Sequence, residues 1–449
     1  MATNTGKRKA VDLPLKALLP RTAAAGEAGH LMLGGCDAVE LAREFGTPLY
    51  VFDEVDLRAT CHEFVKEFRR RHAETSVVYA AKAYIGRALA ALLAEEGLGL
   101  DVVSGGELAV ARSVDFPMER VDFHGNNKSA RELREALEAG VGRIVVDNFH
   151  EMLLLNDAAQ DLGRRQKVLL RVTPGVDPHT HAHISTGAVD SKFGLPLAGG
   201  RAEEALVEAL AAPGLEVVGL HCHVGSQIFE MEVYAKAIAV VVEFAARMKE
   251  RHGFEMREFS PGGGFAVQYT RDAPASGIAE YAEAVVAALK KECRRHSLPL
   301  PRLSVEPGRS LVARAGVALY TVGSVKEVPG VRTYVAVDGG MADNIRPALY
   351  DAPYEALVAN RLGERPSERV TVAGKYCESG DVLVRDIDLP KLWAGDVIAI
   401  PDAGAYCLAL ASNYNCSLRP AIVMVKEGRA RLVRRRESYE DLMRCDVYP

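Results

Sequence analysis

Four polar clusters close apolar runs in this chain, and each offers a different piece of chemistry. Residues 77–82 end in Tyr79-Ala80-Ala81-Lys82. An amine at the end of an apolar strand is partly desolvated, which lowers its pKa and suits a Schiff-base nucleophile. A lysine snorkelling to water is the plainer alternative. Residues 217–223 end in His221-Cys222-His223 and run on through Gly225-Ser226-Gln227. Strand alternation puts His221 and His223 on one face, as flat rings or as metal ligands, although Cys222 then points away. After residues 258–261 come Gly262-Gly263-Gly264, whose successive N–H groups form a nest for a phosphate, or simply a flexible turn. Residues 303–306 lead into Glu306-Pro307-Gly308-Arg309, a carboxylate and a guanidinium able to serve two ends of one ligand. Amine, phosphate nest, flat imidazole and carboxylate together describe a site for pyridoxal 5'-phosphate. The carboxylate would face the pyridine nitrogen and keep it protonated, so that the ring accepts electrons.

These clusters need a scaffold that delivers strand ends to one place. Eight β-branched, apolar runs (77–82, 100–104, 121–124, 143–147, 168–173, 217–223, 258–261 and 303–306) alternate with helical patterns such as 130–139, 203–211, 234–250 and 278–296. Eight strand-helix units predict an α/β chain with a (β/α)₈ barrel of the TIM type, whose chemistry sits at the C-terminal strand ends. A doubly wound open sheet is the competitor, but no Gly-x-Gly-x-x-Gly follows the first strand. Beyond residue 310 the texture changes to short β-rich runs (317–325, 333–338, 370–373, 397–400 and 421–426) with Gly-Asp and Gly-Gly breaks. The expected domains are a tail over 1–30, a segment 31–51 joining the β domain, a barrel over 52–310 and a mostly β domain over 311–449.

The chain has 449 residues, 48% hydrophobic and 26% charged, with a formal net charge of −5. That balance is ordinary for a globular protein with a large core and argues against a nucleic-acid partner. Lys7-Arg8-Lys9 reads as a solvated tail, with no apolar run after it to make a secretory signal. No apolar stretch is long enough for a bilayer, so no membrane partner is expected. The eight cysteines include no C-x-x-C pair, which argues against a zinc ribbon and for reduced thiols in the cytoplasm.

Longer motifs extend the pattern: Tyr79-Ala-Ala-Lys82-Ala, His124-Gly-Asn-Asn-Lys128, His221-Cys-His-Val-Gly-Ser226-Gln, Glu306-Pro-Gly-Arg309-Ser, Asp338-Gly-Gly-Met-Ala-Asp-Asn-Ile-Arg346-Pro-Ala-Leu-Tyr350, Cys377-Glu378-Ser-Gly-Asp381 and Gly404-Ala-Tyr406. On these motifs, residues 31–432 resemble the diaminopimelate decarboxylases. These belong to the group IV pyridoxal-phosphate decarboxylases, with the alanine-racemase-like fold that ornithine decarboxylase shares. The resemblance implies decarboxylation of meso-2,6-diaminopimelate at its D-centre to give L-lysine and carbon dioxide, the last step of lysine biosynthesis. It implies that Lys82 carries the cofactor, that His223 stacks on its ring, and that Glu306 pairs with the pyridine nitrogen. Ser226, Gly262, Gly263 and Gly264 would hold the phosphate, helped by the turn at Gly308 and Arg309. Arg309, Arg346 and Tyr350 would bind substrate carboxylates, and Tyr406 would touch cofactor and substrate. Cys377 would be the proton donor after decarboxylation, and Glu378 would recognise the distal amine. Both would reach the site from a partner subunit, which implies a homodimer with shared active sites.

The chain departs from the commonest family pattern at Lys375-Tyr376, at Cys416-Ser417 and over its first twenty residues. The run His179-Thr-His181-Ala-His183 invites a metal, but no nearby Cys or Glu completes a ligand set, and no metal is expected. Three other readings stand beside the main one. These are a pyridoxal-phosphate decarboxylase acting on another basic or D-amino acid, a racemase on the same fold, and a cofactor-binding homologue without activity. A racemase would need an opposing tyrosine and would leave Cys377-Glu378 without a purpose.

Overall fold

The structure is a computed structural model that describes residues 13–176 and 191–448. The three histidines at 179, 181 and 183 and the basic run at 7–9 lie outside the described residues. The chain folds as two compact units. One comprises Arg58–Val267 and Ala275–Leu311; the other takes the residues up to Leu57, Gln268–Pro274 and those from Val312 onward.

The first unit is the expected barrel. Its strands are β1 (Thr75–Ala80), β2 (Gly99–Val102), β3 (Val121–Phe123), β4 (Arg143–Val146), β5 (Gln166–Thr173), β6 (Leu215–His221), β7 (Glu258–Ser260) and β8 (Arg302–Val305). All pair in parallel in sequence order, and β8 returns to β1 with Leu303 opposite Thr75 and Val305 opposite Val77. A strand covered on both faces is mostly apolar, as in Ile144-Val145-Val146 of β4, and the buried Asp101 of β2 and Asp122 of β3 are the exceptions. Val145, Leu169 and Val218 form an interior cluster from three different strands. Between strands, helices start where short polar side chains cap them. Ser129 and Glu132 form a capping box for Ala130–Ala139, and Asn148 caps Phe149–Asp161.

The strand ladders stop earlier than the apolar runs implied. β1 ends at Ala80, and Ala81–Ala83 form a 3₁₀ turn closed by the Tyr79 hydroxyl, which donates to Tyr84 O at 2.6 Å. β6 ends at His221, β7 at Ser260 and β8 at Val305. Beyond these points the loops bond to one another: Ala80 N donates to Pro307 O at 3.1 Å, and Glu306 N to Gly262 O at 3.1 Å. The polar clusters therefore sit on irregular backbone just past each strand.

The second unit is mostly β. Its long strand Gly316–Val328 pairs antiparallel with Leu49–Asp53, Val397–Ile400 and Arg332–Val337, and Ala421–Lys426 adds in parallel to Leu49–Asp53. The packed chain here begins upstream of residue 31: Leu18 and Leu19 are buried, and Ala24–Ala25 pairs with Leu31–Leu33. No helix among the described residues is long and apolar enough to cross a membrane.

A buried ion pair braces the barrel between β3 and β4. Lys128 Nζ lies 2.7 Å from Glu151 Oε1 and donates to Gly125 O and Val145 O at 2.6 and 2.9 Å. Burial pushes Lys128 down and Glu151 up in pKa, each opposed by the other's charge. Breaking such a pair strands a charge out of water. Lys128→Ala should therefore destabilise the protein by roughly 3–5 kcal/mol in urea unfolding. Lys128→Met with Glu151→Leu should recover most of that loss.

Candidate active site

At the C-terminal face of the barrel, six strands bring polar groups into one cluster. Glu306, following β8, is its centre and is buried. Its Oε2 lies 3.1 Å from His221 Nε2, and its Oε1 accepts from Ser260 Oγ at 2.7 Å. His124, past β3, brings Nε2 to 3.7 Å from Glu306 Oε1 and to 3.7 Å from Asp101 Oδ1 on β2. Asp101 Oδ2 in turn lies 3.3 Å from Lys82 Nζ, whose side chain is 46% exposed. A polar chain thus crosses the barrel mouth from Lys82 to Glu306.

The glycines form a cradle that no other residue could make. A Cβ on Gly263 would stand 1.9 Å from Glu306 O, and one on Gly264 would stand 2.3 Å from Gly225 O. Gly262 and Gly264 also take positive φ, +80° and +92°. Gly263 N points at His223 Nδ1, 3.4 Å away, so this ring edge and the bare backbone line the same corner. Arg309 Nη2 donates to Ser226 Oγ at 3.1 Å and closes the corner from β8. Gly308 packs against Ala80, where a Cβ would meet the Ala80 methyl at 3.1 Å.

Electrostatics divides the imidazoles from the carboxylate. Burial alone would raise the Glu306 pKa, but His221, His124 and the Ser260 hydroxyl outweigh it and hold the carboxyl well below its usual range. Burial pushes His124 down to about 4 despite Asp101 and Glu306 nearby. His223 falls to about 3 through burial and the Lys82 and Arg171 cations. Both rings are neutral at neutral pH, as a stacking or hydrogen-bonding ring requires.

The remaining expected residues belong to the second unit. Cys377 and Glu378 are exposed on a loop whose backbone is tied to Asn415 (Cys377 N to Asn415 Oδ1, 3.3 Å) and to Asp381 (Tyr376 N to Oδ2, 2.9 Å). Tyr406 is half-buried with φ +60°, and Tyr350 is 63% exposed. Arg346 is buried, hydrogen-bonded to the Tyr354 hydroxyl and seated 4.4 Å over the Tyr269 ring.

The pyridoxal-binding domain model of the pyridoxal-dependent decarboxylases matches residues 55–313. The chain is 49% identical over 419 residues to the diaminopimelate decarboxylase of Bacillus subtilis, covering 93% of this chain and 95% of that one. The chain belongs to the diaminopimelate decarboxylase family. Another family member, from Actinosynnema pretiosum, is 49% identical over 423 residues, covering 94% of this chain and 93% of that one. The crystal structure of the M. jannaschii diaminopimelate decarboxylase superposes with a TM-score of 0.90 at 38% identity, covering 96% of this chain and 98% of that chain. As in the family, the cofactor is pyridoxal 5'-phosphate. The barrel residues fit it: an amine, a Cβ-free cradle for a phosphate, a neutral ring and a buried carboxylate.

Sequence reasoning placed Glu306 but missed what holds it. Asp101 and Ser260 lie inside apolar runs and carry no motif of their own, and His124 stood in a motif without a role. The metal alternative paired His221 with His223. Among the described residues, His221 instead clusters with His124 and Glu306, with ligand atoms within 4.8 Å.

A histidine held neutral when folded takes up protons more readily when unfolded. Its stability contribution is therefore lost as pH falls from about 6.5 through its folded value. Glu306, with its depressed pKa, loses stability in the same direction at lower pH. For the cofactor-free protein, the part of the unfolding free energy that His124 and Glu306 contribute should be nearly flat above about pH 6.5 and fall below it, while the raised carboxyls of Glu107, Asp122 and Asp343 slope the opposite way. The His124 share amounts to roughly 3 kcal/mol. His124→Asn should flatten the upper part of that slope, measured by urea midpoints at successive pH values.

Proposed function

We infer that this chain is a carboxy-lyase that removes carbon dioxide from the D-centre of meso-2,6-diaminopimelate and yields L-lysine, the last step of lysine biosynthesis. The likeness to the Bacillus subtilis enzyme, 49% over 93% of this chain, carries the reading. The M. jannaschii relative, 38% identical, was crystallised in co-complex with L-lysine, the product proposed here.

The roles of individual residues are part of the same proposal. When bound, pyridoxal phosphate supplies a conjugated electron sink for the carbanion left by decarboxylation. Lys82 holds the cofactor covalently, and Asp101 steadies its amine. Glu306, kept ionised by His221 and Ser260, presents a negative oxygen to the pyridine nitrogen. Gly263, Gly264, Gly308, Arg309 and Ser226 would offer N–H, guanidinium and hydroxyl donors to the phosphate, and Gly262, its N–H held by Ser260, would shape the turn around it. His223 would stack on the ring. Arg309, Arg346 and Tyr350 recognise carboxylates, with Arg346 leaving its tyrosine contacts to do so, and Tyr406 touches cofactor and substrate. Glu378 holds the distal ammonium, and Cys377 Sγ delivers a proton to the decarboxylated carbon.

Cys377 and Glu378 belong to an exposed loop, which suits contribution to a site on a second subunit. The proposed assembly is a homodimer with shared active sites. The proposed location is the cytoplasm, where eight free cysteines stay reduced.

Release of carbon dioxide from meso-diaminopimelate, with lysine formed in equal amount, tests the activity; no release by cofactor-loaded protein refutes it. Lys82→Ala should lower turnover by several orders of magnitude and abolish the adduct that borohydride fixes. A reduced cofactor trapped on another lysine would overturn the Lys82 assignment.

The shared site has its own test. Lys82→Ala and Cys377→Ala homodimers should each be nearly inactive. Exchange of subunits between them should give mixed dimers with one site carrying both defects and one carrying none. With equal amounts, activity should climb towards about a quarter of the wild-type value. Exchange proved with tagged subunits but without recovery would place Cys377 in its own chain's site or outside the chemistry.

A further inference from the structure

Three buried groups at the barrel mouth do not balance. Asp101 and Glu306 are carboxylates with side chains 1% and 4% exposed, and between them stands the single His124 imidazole, 6% exposed. His124 Nε2 is equidistant from the two, 3.7 Å from Asp101 Oδ1 and 3.7 Å from Glu306 Oε1. At that separation neither is a hydrogen bond, and both His124 Nε2 and Asp101 Oδ1 are buried without a hydrogen-bond partner. Buried polar atoms are seldom left so, because each costs the full desolvation of the group. An Nε2 facing two carboxylates must carry the ring proton, since a lone pair there would be repelled by both.

The other donors around this gap are already assigned. Glu306 has His221 and Ser260. Asp101 has Lys82 Nζ on its other oxygen. Once the Lys82 nitrogen is engaged covalently, it carries at most one N–H in place of three, and His124 Nε2–H is a nearby group able to make up the loss to Asp101. Glu306 at the same time gains a partner in the pyridine N–H and needs His124 less.

We propose that His124 is a positioning residue whose Nε2–H is shared between Asp101 and Glu306 and passes from the second to the first when Lys82 takes up the cofactor. The proposal rests on the reading of Lys82 and Glu306 given above. The two ends of the cofactor are thereby coupled through one ring: a donor given to the lysine end is withdrawn from the nitrogen end.

The consequence is spectroscopic. With His124 in place, the charge of Asp101 is partly offset. Without its N–H, the same charge acts undiminished on the neighbouring Lys82 nitrogen and favours a proton there. The visible absorption of the holoenzyme should therefore titrate with a midpoint about one to two pH units higher in His124→Phe than in wild type. His124→Gln, whose amide restores a donor, should bring most of the shift back.

Other titrating neighbours must be held constant. His221 and His223 face the cluster, and Arg143 pairs with Asp122 below it. Burial raises Glu107 and Asp122 each to about 7. All three proteins are therefore compared with Glu107→Gln and Asp122→Asn introduced as common backgrounds. A His124→Phe midpoint equal to wild type overturns the proposal, as does an equal shift in Phe and Gln variants.

Should the Phe variant fail to fold, nitrogen NMR of ¹⁵N-histidine-labelled, cofactor-free wild-type protein decides. The proposal requires the His124 proton on Nε2, and a proton on Nδ1 refutes it. Peptide mapping of the borohydride-fixed adduct reports separately on Lys82. An adduct elsewhere refutes the assignment of Lys82, whereas the tautomer is read without any cofactor.

Discussion

A carboxylate taken out of water at the end of β8 must be given donors or it will take a proton. Glu306 is that carboxylate, and the architecture of the barrel mouth follows from satisfying it. His221 comes from the last residue of β6 and Ser260 from the last of β7, so the three strand ends must stay in register for the donors to arrive. The Ser260 hydroxyl accepts from Gly262 N at 3.1 Å while donating to Glu306, which fixes the start of the glycine turn. The Glu306 backbone then returns the bond by donating to Gly262 O. The Glu306 carboxylate and the glycine turn are thus one hydrogen-bonded object.

Buried aspartates organise the second unit in the same manner. Asp343 accepts from Gly340 N at 2.9 Å and from the Tyr50 and Tyr320 hydroxyls. Burial raises its pKa to about 6 against those bonds. Asp381 accepts from Met341 N at 2.7 Å and Tyr376 N at 2.9 Å, joining the Gly339-Gly340 turn to the segment that leads into Cys377. The loop that exposes the Cys377 thiol and the Glu378 carboxylate is therefore held by backbone hydrogen bonds at Tyr376 and Cys377.

How far the sequence could be read depended on what each residue does. The eight barrel strands were legible because a strand buried on both faces is mostly apolar, and the alternating helices gave the count. The strand ends were less legible. Lys82 reads as the last residue of a strand but sits in a 3₁₀ turn, because the Tyr79–Tyr84 bond closes the backbone earlier. Lys82, His223, the glycines and Glu306 stood out by chemical type. Their supporting groups did not: Asp101 and Ser260 look like interruptions in hydrophobic runs, and only three-dimensional closure shows what they face. Arg346 marks the limit in another way. A motif assigns it a carboxylate, and the structure seats it between Tyr354, eight residues on, and Tyr269, which is far away in the chain.

Gly263 carries a consequence for how such a chain can change over generations. The atom that would collide with a side chain there is the Glu306 carbonyl oxygen, 1.9 Å from the missing Cβ. A clash with another side chain can be relieved by a smaller residue at the second position. A clash with backbone has no such suppressor, because every amino acid at 306 carries the same carbonyl. Random mutagenesis with selection for second-site revertants would therefore find none in the contacting residue. Position 263 is closed to replacement by local compensation, and only a shift of the loop after β7 or of β8 itself would reopen it.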